Sequence, residues 1–205
     1  MVKTIEVEFR GQLSKKKYAE LDIFFNKYGK FKTFKERVLI DYSCFIPGEE
    51  LTSRTKDIRL RVTNKVPEII VKVGKFGGSE MRKELSVLTN IGEFDKLVEI
   101  FGLLGLKKGV LCFRKSKVYD YKGIEFALVE VPGHSYYFEA EMMVHTRSDK
   151  SKAQKHILDV CKDLGLKTFD DDGFYAYIER LNKESNEVFE FKNHKKDYFK
   201  KRFKL

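Results

Sequence analysis

Apolar and charged residues alternate along several short stretches of this chain, and that alternation limits its possible folds more than any other feature. In residues 4–10 every second side chain is apolar, while Glu6, Glu8 and Arg10 share the opposite side. Because successive side chains of a β-strand point to opposite faces, the pattern is typical of a strand with one buried face. Gly, Asn and Pro residues separate several such segments, which predicts an antiparallel meander with tight turns.

Apolar residues at helical spacing interrupt the strands at four places. The predicted helices lie at residues 14–28, 93–104, 148–164 and 174–181. Ser14 stands where an N-cap belongs, and Gly29 stands where the first helix would end. The sequence therefore predicts an α+β fold in which strands dominate.

Several strands also carry like charges two residues apart, on a single face. The carboxylate pairs are Glu6/Glu8 and Glu139/Glu141, the basic pairs are Arg59/Arg61 and Lys115/Lys117, and Arg82/Glu84 is a mixed pair. On a half-exposed antiparallel sheet such faces are simply solvated. If the sheet instead closes on itself, the charges share one interior and need counter-charges or a ligand.

An interior lined by both kinds of charge suits a phosphate compound with a divalent metal ion. Arg and Lys neutralise and orient phosphate oxygens, Arg often through two parallel hydrogen bonds. Clustered Glu side chains repel one another unless a hard cation such as Mg²⁺ or Mn²⁺ lies between them and bridges to phosphate. Phosphoryl transfer in such a site depends mainly on positioning and charge stabilisation.

The composition indicates what kind of partner the chain binds and in which compartment it works. A formal net charge of +10 on 205 residues predicts an anionic partner. Three dispersed cysteines without CxxC spacing argue against a disulfide framework and favour a reducing cytoplasm. No apolar run approaches the roughly 18 residues that span a membrane, so we expect no membrane partner. Sequence leaves open whether the chain is a monomer or a homodimer.

The C-terminal end differs in charge from the rest of the chain. Residues 192–205 contain seven Lys or Arg and one Asp. We therefore predict one domain at residues 1–185 and a basic tail at 186–205, with nucleic acid as a possible partner of the tail.

Taken together, these segments resemble the CYTH proteins, also called triphosphate tunnel metalloenzymes. Residues 6–10, Glu-Val-Glu-Phe-Arg, resemble the ExExK signature of the first strand. The later segments follow in family order: Arg59-Leu-Arg61, Lys72, Arg82-Lys-Glu84, Lys115-Ser-Lys117, Glu139-Ala-Glu141 and residues 173–178. The resemblance spans about residues 4–181. Each motif is weak alone, whereas their common order is specific.

The resemblance implies a closed eight-stranded antiparallel β-barrel, or tunnel, with flanking helices, which acts on triphosphates with Mg²⁺ or Mn²⁺. It places Glu8 and Arg10 at catalytic positions. The implied metal ligands are Glu6, Glu8, Glu139 and Glu141, with Glu130 as a further candidate. The implied phosphate-binding residues are Arg59, Arg61, Lys72, Arg82, Lys115 and Lys117.

Three departures from the family pattern stand out, one of which is that Leu39, Asp41 and Ser43 only loosely match the usual QxDxY strand. Arg10 replaces the signature lysine, and a guanidinium does not deprotonate to activate water. Val129 stands where the family often has an aspartate ligand, and Glu130 faces the other way unless a bulge re-aims it.

Three functions therefore stay open from sequence. The first is hydrolysis of a triphosphate-containing small molecule: inorganic tripolyphosphate, a nucleoside triphosphate or thiamine triphosphate. The second is a class IV-type adenylyl cyclase that makes cAMP from ATP. The third is non-catalytic binding of triphosphate, polyphosphate or RNA ends.

Overall fold

The structure, a computed structural model, describes residues 5–77, 79–80 and 82–205. The strands are β1 (Ile5–Leu13), β2 (Lys30–Asp41), β3 (Lys56–Thr63), β4 (Val66–Val73), β5 (Ser79–Glu80), β6 (Lys83–Leu88), β7 (Lys108–Tyr121), β8 (Ile124–Val131), β9 (Ser135–Val144) and β10 (Glu187–Glu190). The helices are α1 (Lys15–Tyr28), α2 (Phe94–Leu103), α3 (Arg147–Asp163), α4 (Asp171–Glu184) and α5 (Tyr198–Phe203). None of the helices in these described ranges is both long and apolar enough to cross a membrane.

The strands form one antiparallel sheet in the order β5-β1-β9-β8-β7-β2-β3-β4-β6, with β10 beside β7. The predicted α+β class and antiparallel pairing are confirmed. Among the described strands this order has two ends, β5 and β6, so closure into a complete eight-stranded barrel is not shown.

The predicted helices are present, with modest shifts at their ends. Helix α1 begins after Ser14, whose side-chain oxygen accepts the N–H of Lys17, and ends at Gly29, as the sequence predicts. Helix α3 begins one residue earlier than expected because Thr146 caps it. Helix α4 is longer than predicted, and α5 was not predicted as a helix.

The chain divides into two compact units. Unit 1 contains the described residues of 1–35, 77–83 and 115–180, and unit 2 contains 36–76, 84–114 and 181–205. Strands β2, β6 and β7 and helix α4 each contribute residues to both units.

Unit 1 has a core between its sheet and two helices. Phe25 of α1 and Ile157 of α3 are fully buried there with Phe126 and Phe138 of the sheet. Along β8 and β9 successive side chains point to opposite faces of the sheet, so the strand neighbours of Phe126 and Phe138 face away from the core. This alternation positions the charged face of unit 1.

Unit 2 has its own core, built from β2, β3, α2 and the C-terminal segment. Phe199 of α5 is fully buried and packs its ring against Phe94 and Phe189. The carboxylate of Asp95 accepts the backbone N–H groups of Phe199 and Lys200, both at 3.0 Å. Residues 186–205, predicted as a basic tail, contribute Phe189 and Phe199 to this core, while their lysines stay exposed.

We predict that Phe199→Ala lowers the free energy of unfolding by about 3–5 kcal/mol, because it leaves a cavity in the core of unit 2. The exposed change Lys201→Ala is the matched control and should cost less than about 0.5 kcal/mol. Urea denaturation followed by circular dichroism measures both. A loss below about 1 kcal/mol for Phe199→Ala would contradict the packing described for this segment.

Candidate functional site

The register between β1 and β9 builds a charged face on unit 1. Glu8 lies opposite Glu141, and Arg10 lies opposite Glu139. The residues between them, such as Phe9, turn into the core, so the four charged residues share the other face. Glu6 belongs to this face as well, opposite Met143. The structure thus places on one face the four glutamates that the sequence proposes as metal ligands.

Arg10 links two of these carboxylates. Its Nη2 donates to Oε2 of Glu8 at 2.5 Å, and its Nε donates to Oε1 of Glu139 at 3.4 Å. The Glu8 side chain is only 3% exposed, and a carboxylate that buried requires a partner. The guanidinium also lies 5.3 Å from the centre of the Phe174 ring. Arg10 is therefore held in place by two ion pairs and an aromatic face.

Strand β8 adds a carboxylate that the sequence interpretation missed. Glu125 lies directly opposite Glu141, so Glu8, Glu141 and Glu125 form a row across three adjacent strands. Burial acts to raise the pKa of Glu125, but a hydrogen bond and charge from Lys32, together with Lys35, lower it below its usual range. The alternation of Ile124–Val131 could have placed Glu125 on this face.

Val129 and Glu130 occupy opposite faces of β8. Val129 is buried opposite Tyr137, and Glu130 lies opposite Tyr136. The pairing of β8 with β9 runs residue by residue without a bulge, so nothing re-aims Glu130 toward Glu139 and Glu141. The structure does not bring Glu130 together with the other proposed ligands.

The same register separates Lys115 and Lys117 from the glutamate face. They pair with Glu130 and Leu128, which places both lysines on the side that packs against α1. Lys117 Nζ donates to Asp22 of α1 at 2.6 Å. The structure therefore does not bring this pair onto the face that carries Glu139 and Glu141. In β7, Ser116 faces that side instead, opposite Val129.

Arg82, the remaining phosphate-binding candidate in unit 1, is 4% exposed. It directly precedes β6, while Glu84, its partner in the proposed RxE motif, belongs to unit 2.

Unit 2 has a charged face of its own on β2, β3 and β4. The register places Arg59, Arg61 and Lys72 on one side of the sheet, while Leu60 and Val62 point into the core. The three cations that the sequence proposes here thus share one face. Arg37, opposite Thr63, joins them and was not predicted from sequence.

Carboxylates orient these cations. Glu68 accepts from Nε and Nη2 of Arg61, at 3.0 and 2.6 Å, and Lys72 Nζ lies 3.0 Å from Glu84. Burial and the neighbouring charge of Arg37 lower the pKa of Arg61, although Glu68 opposes this. Arg61 is therefore a largely buried cation whose guanidinium is held by Glu68 through two nitrogens.

A buried ion-pair network lies beside these cations, on the same side of the sheet. Arg54, 2% exposed, donates to Asp41 at 3.0 Å and to Asp57 at 3.1 Å, and its guanidinium lies over the Phe76 ring. The fully buried Asp57 also accepts from Arg59. Asp57 thereby connects the buried Arg54 to a proposed phosphate-binding residue. Sequence carries no signal for Arg54, because it follows a turn rather than an alternating strand.

The donor chemistry of the glutamate face suits Mg²⁺ or Mn²⁺, because hard cations prefer carboxylate oxygens. Within the described ranges, however, no three side chains of Asp, Glu, His or Cys converge closely enough to hold a metal ion. Two of the carboxylates share the guanidinium of Arg10 instead.

Comparison with known proteins identifies the family. The model of the CYTH domain matches residues 4–175, and the chain belongs to this family. A curated relative is "Putative adenylate cyclase MJ0240" of Methanocaldococcus jannaschii, which is 28% identical over 152 residues, covering 74% of this chain and 75% of the relative.

Solved structures share the fold. The PH1819 protein of Pyrococcus horikoshii has a TM-score of 0.66 at 21% identity, covering 85% of this chain and 99% of that one. A protein of Hippeastrum, described as a "putative adenylyl cyclase" with a dominant triphosphatase activity, has a TM-score of 0.55 at 13% identity, covering 99% and 97%. These two likenesses concern the fold.

We predict that Asp57→Asn lowers the free energy of unfolding by about 3 kcal/mol, because it removes a charge that compensates the buried Arg54. The exposed helix change Glu99→Gln is the control and should have an effect below about 0.5 kcal/mol. Equilibrium unfolding in urea provides the comparison. If both variants unfold at the same urea concentration, Asp57 does not stabilise the network.

Proposed function

We propose that this protein is a metal-dependent hydrolase of a triphosphate-containing small molecule. The observation that carries the proposal is the cationic face of unit 2, where Arg37, Arg59, Arg61 and Lys72 lie on one side of three adjacent strands. Membership of the CYTH family supports it, since two similar proteins are described as putative adenylate cyclases, one of them with a dominant triphosphatase activity.

The cationic face supplies the groups that a polyphosphate chain requires. Guanidinium groups donate parallel hydrogen bonds to phosphate oxygens, and Lys72 adds a compact charge. Asp57, Glu68 and Glu84 hold three of these cations in fixed orientations, so little side-chain entropy remains to be lost when phosphate binds. We infer that unit 2 binds and orients the phosphates.

The glutamate face of unit 1 supplies the groups that a divalent ion requires. In the proposal Glu139 and Glu141 hold Mg²⁺ or Mn²⁺ together with Glu6 and Glu8. A bound ion of this kind would neutralise phosphate oxygens and lower the pKa of a water molecule. Arg10 stays protonated, so its role is to stabilise charge rather than to remove a proton.

We predict that tripolyphosphate releases phosphate in the presence of Mg²⁺ or Mn²⁺, and that Glu139→Ala lowers kcat by about 10²–10³-fold because it removes electrostatic stabilisation. The control Arg180→Gln removes an exposed charge that stacks on Tyr177 and should leave kcat unchanged. A colorimetric phosphate assay measures both. Absence of phosphate release from tripolyphosphate, ATP and thiamine triphosphate would refute hydrolysis.

We further predict that Arg37→Gln raises the Kd for tripolyphosphate about tenfold or more, since a hydrogen bond from a charged group contributes about 1.5–3 kcal/mol. Lys96→Gln, on the exposed side of α2, is the matched control and should bind as the wild type does. Isothermal titration calorimetry without metal separates this step from catalysis. Equal affinity of wild type and Arg37→Gln would remove Arg37 from the phosphate-binding face.

A cyclase is the second candidate, and the name of the Methanocaldococcus relative favours it. The two reactions differ in their products from ATP: cAMP and pyrophosphate for the cyclase, ADP and phosphate for the hydrolase. Chromatography of the nucleotide products distinguishes them in one experiment. Tight binding of triphosphate without either product would support the third function, a non-catalytic binder.

A further inference from the structure

Arg10 occupies the space between carboxylates that the proposed metal site would use. Its guanidinium donates to Glu8 on its own strand and to Glu139 on the neighbouring strand. A divalent ion bound by Glu8 and Glu139 would need the same carboxylate oxygens. The two cations, one built into the chain and one from solution, therefore compete for these ligands.

The position of Arg10 is fixed by more than its ion pairs. The backbone N–H of Phe169 donates to the Arg10 carbonyl at 2.7 Å, which ties β1 to the segment before α4. The next residue is Gly11, where a Cβ atom would lie 2.1 Å from the carbonyl oxygen of Lys167, so any other side chain would collide with it. Phe174 covers the guanidinium on one face. The backbone contacts hold this part of β1 in place, and withdrawal of the Arg10 side chain would break its contact with Phe174 as well as its ion pairs.

The chemistry of the side chain matters as well. Arg carries a planar fork that holds two carboxylates at once and stacks on an aromatic ring, and its charge persists at any physiological pH. A lysine at this position would offer a single point charge on a flexible stem. The observed geometry, with one nitrogen on Glu8 and another on Glu139, uses the fork.

We propose that Arg10 is a resident cation of the glutamate face, which takes the place of a divalent ion at Glu8 and Glu139 and weakens metal binding there. The inference rests on the proposed function in one respect, namely that the glutamate face binds a divalent ion. With Arg10 in place, the glutamate face should need less divalent metal to neutralise its carboxylates than it would without Arg10.

Mn²⁺ binding to the full chain, without any phosphate compound, tests this inference. Electron paramagnetic resonance of free Mn²⁺ gives the Kd for wild type, Arg10→Gln and the control Arg180→Gln. Arg10→Gln should bind Mn²⁺ about tenfold or more tightly, which corresponds to about 1.4 kcal/mol. Arg180→Gln should match the wild type within about twofold, because the exposed guanidinium of Arg180 stacks on the Tyr177 ring. Equal or weaker binding by Arg10→Gln overturns the inference.

Arg10→Gln removes the ion pair between residue 10 and the buried Glu8, so the folding of this variant is checked by circular dichroism. Arg10→Lys keeps the charge and serves as a second variant if Arg10→Gln does not fold. Because an ammonium holds the two carboxylates less completely, Arg10→Lys should bind Mn²⁺ more tightly than wild type, by about threefold. A Kd for Arg10→Lys at or above that of wild type likewise overturns the inference.

The outcome is distinguishable from that of the proposed function. If Arg10→Gln binds Mn²⁺ more tightly but no variant hydrolyses a triphosphate, the resident cation is supported and hydrolysis fails. If wild type hydrolyses tripolyphosphate and the Mn²⁺ affinity does not depend on residue 10, the proposed function stands and the resident cation fails.

Discussion

Unbroken antiparallel pairing decides which side chains of this protein meet. Between β1 and β9 the register is continuous over nine residue pairs, and it fixes Glu8 opposite Glu141 and Arg10 opposite Glu139. A shift of one residue would turn every one of these charges into the core and every core residue outward. Such a shift would expose the apolar core residues to water, and the free energy that this costs holds the charged faces in place.

Charges on these faces are arranged so that few of them lack compensation. Arg10 neutralises two glutamates in unit 1, and Asp57 accepts from two arginines in unit 2. Buried ion pairs of this kind contribute little net stability, because desolvation offsets much of their attraction. Their physical effect is to orient the cations. In unit 2, Arg59, Arg61 and Lys72 are each held by a carboxylate. Among the described residues no such ion pair is found for Arg37.

The extent to which the site could be predicted depended on how clearly each strand alternated. In β1 and β3 apolar and charged residues alternate strictly, so Glu6, Glu8, Arg59 and Arg61 were assigned to the correct faces. In β7, residues 110–113 form a continuous apolar run, and sequence periodicity there does not determine which residues face the core. Pairing with β8 decides it, and it places Lys115 and Lys117 beside α1. The contacts of Arg54 join a turn to two strands, so no local pattern could reveal them.

The sequence by itself determined the α+β class, the helices at 14–28, 93–104 and 148–164, and the like-charge pairs that connect the chain to the CYTH family. It did so because period-2 and helical spacing are local properties of the chain. Only the tertiary structure decided that Arg10 bridges Glu8 and Glu139 and that Glu125 joins their row. It also decided that no bulge re-aims Glu130, that the β7 lysines lie on the face beside α1, and that Phe199 anchors the basic C-terminal segment. Each of these depends on cross-strand register or on packing between distant segments, and neither is encoded in the spacing of neighbouring residues.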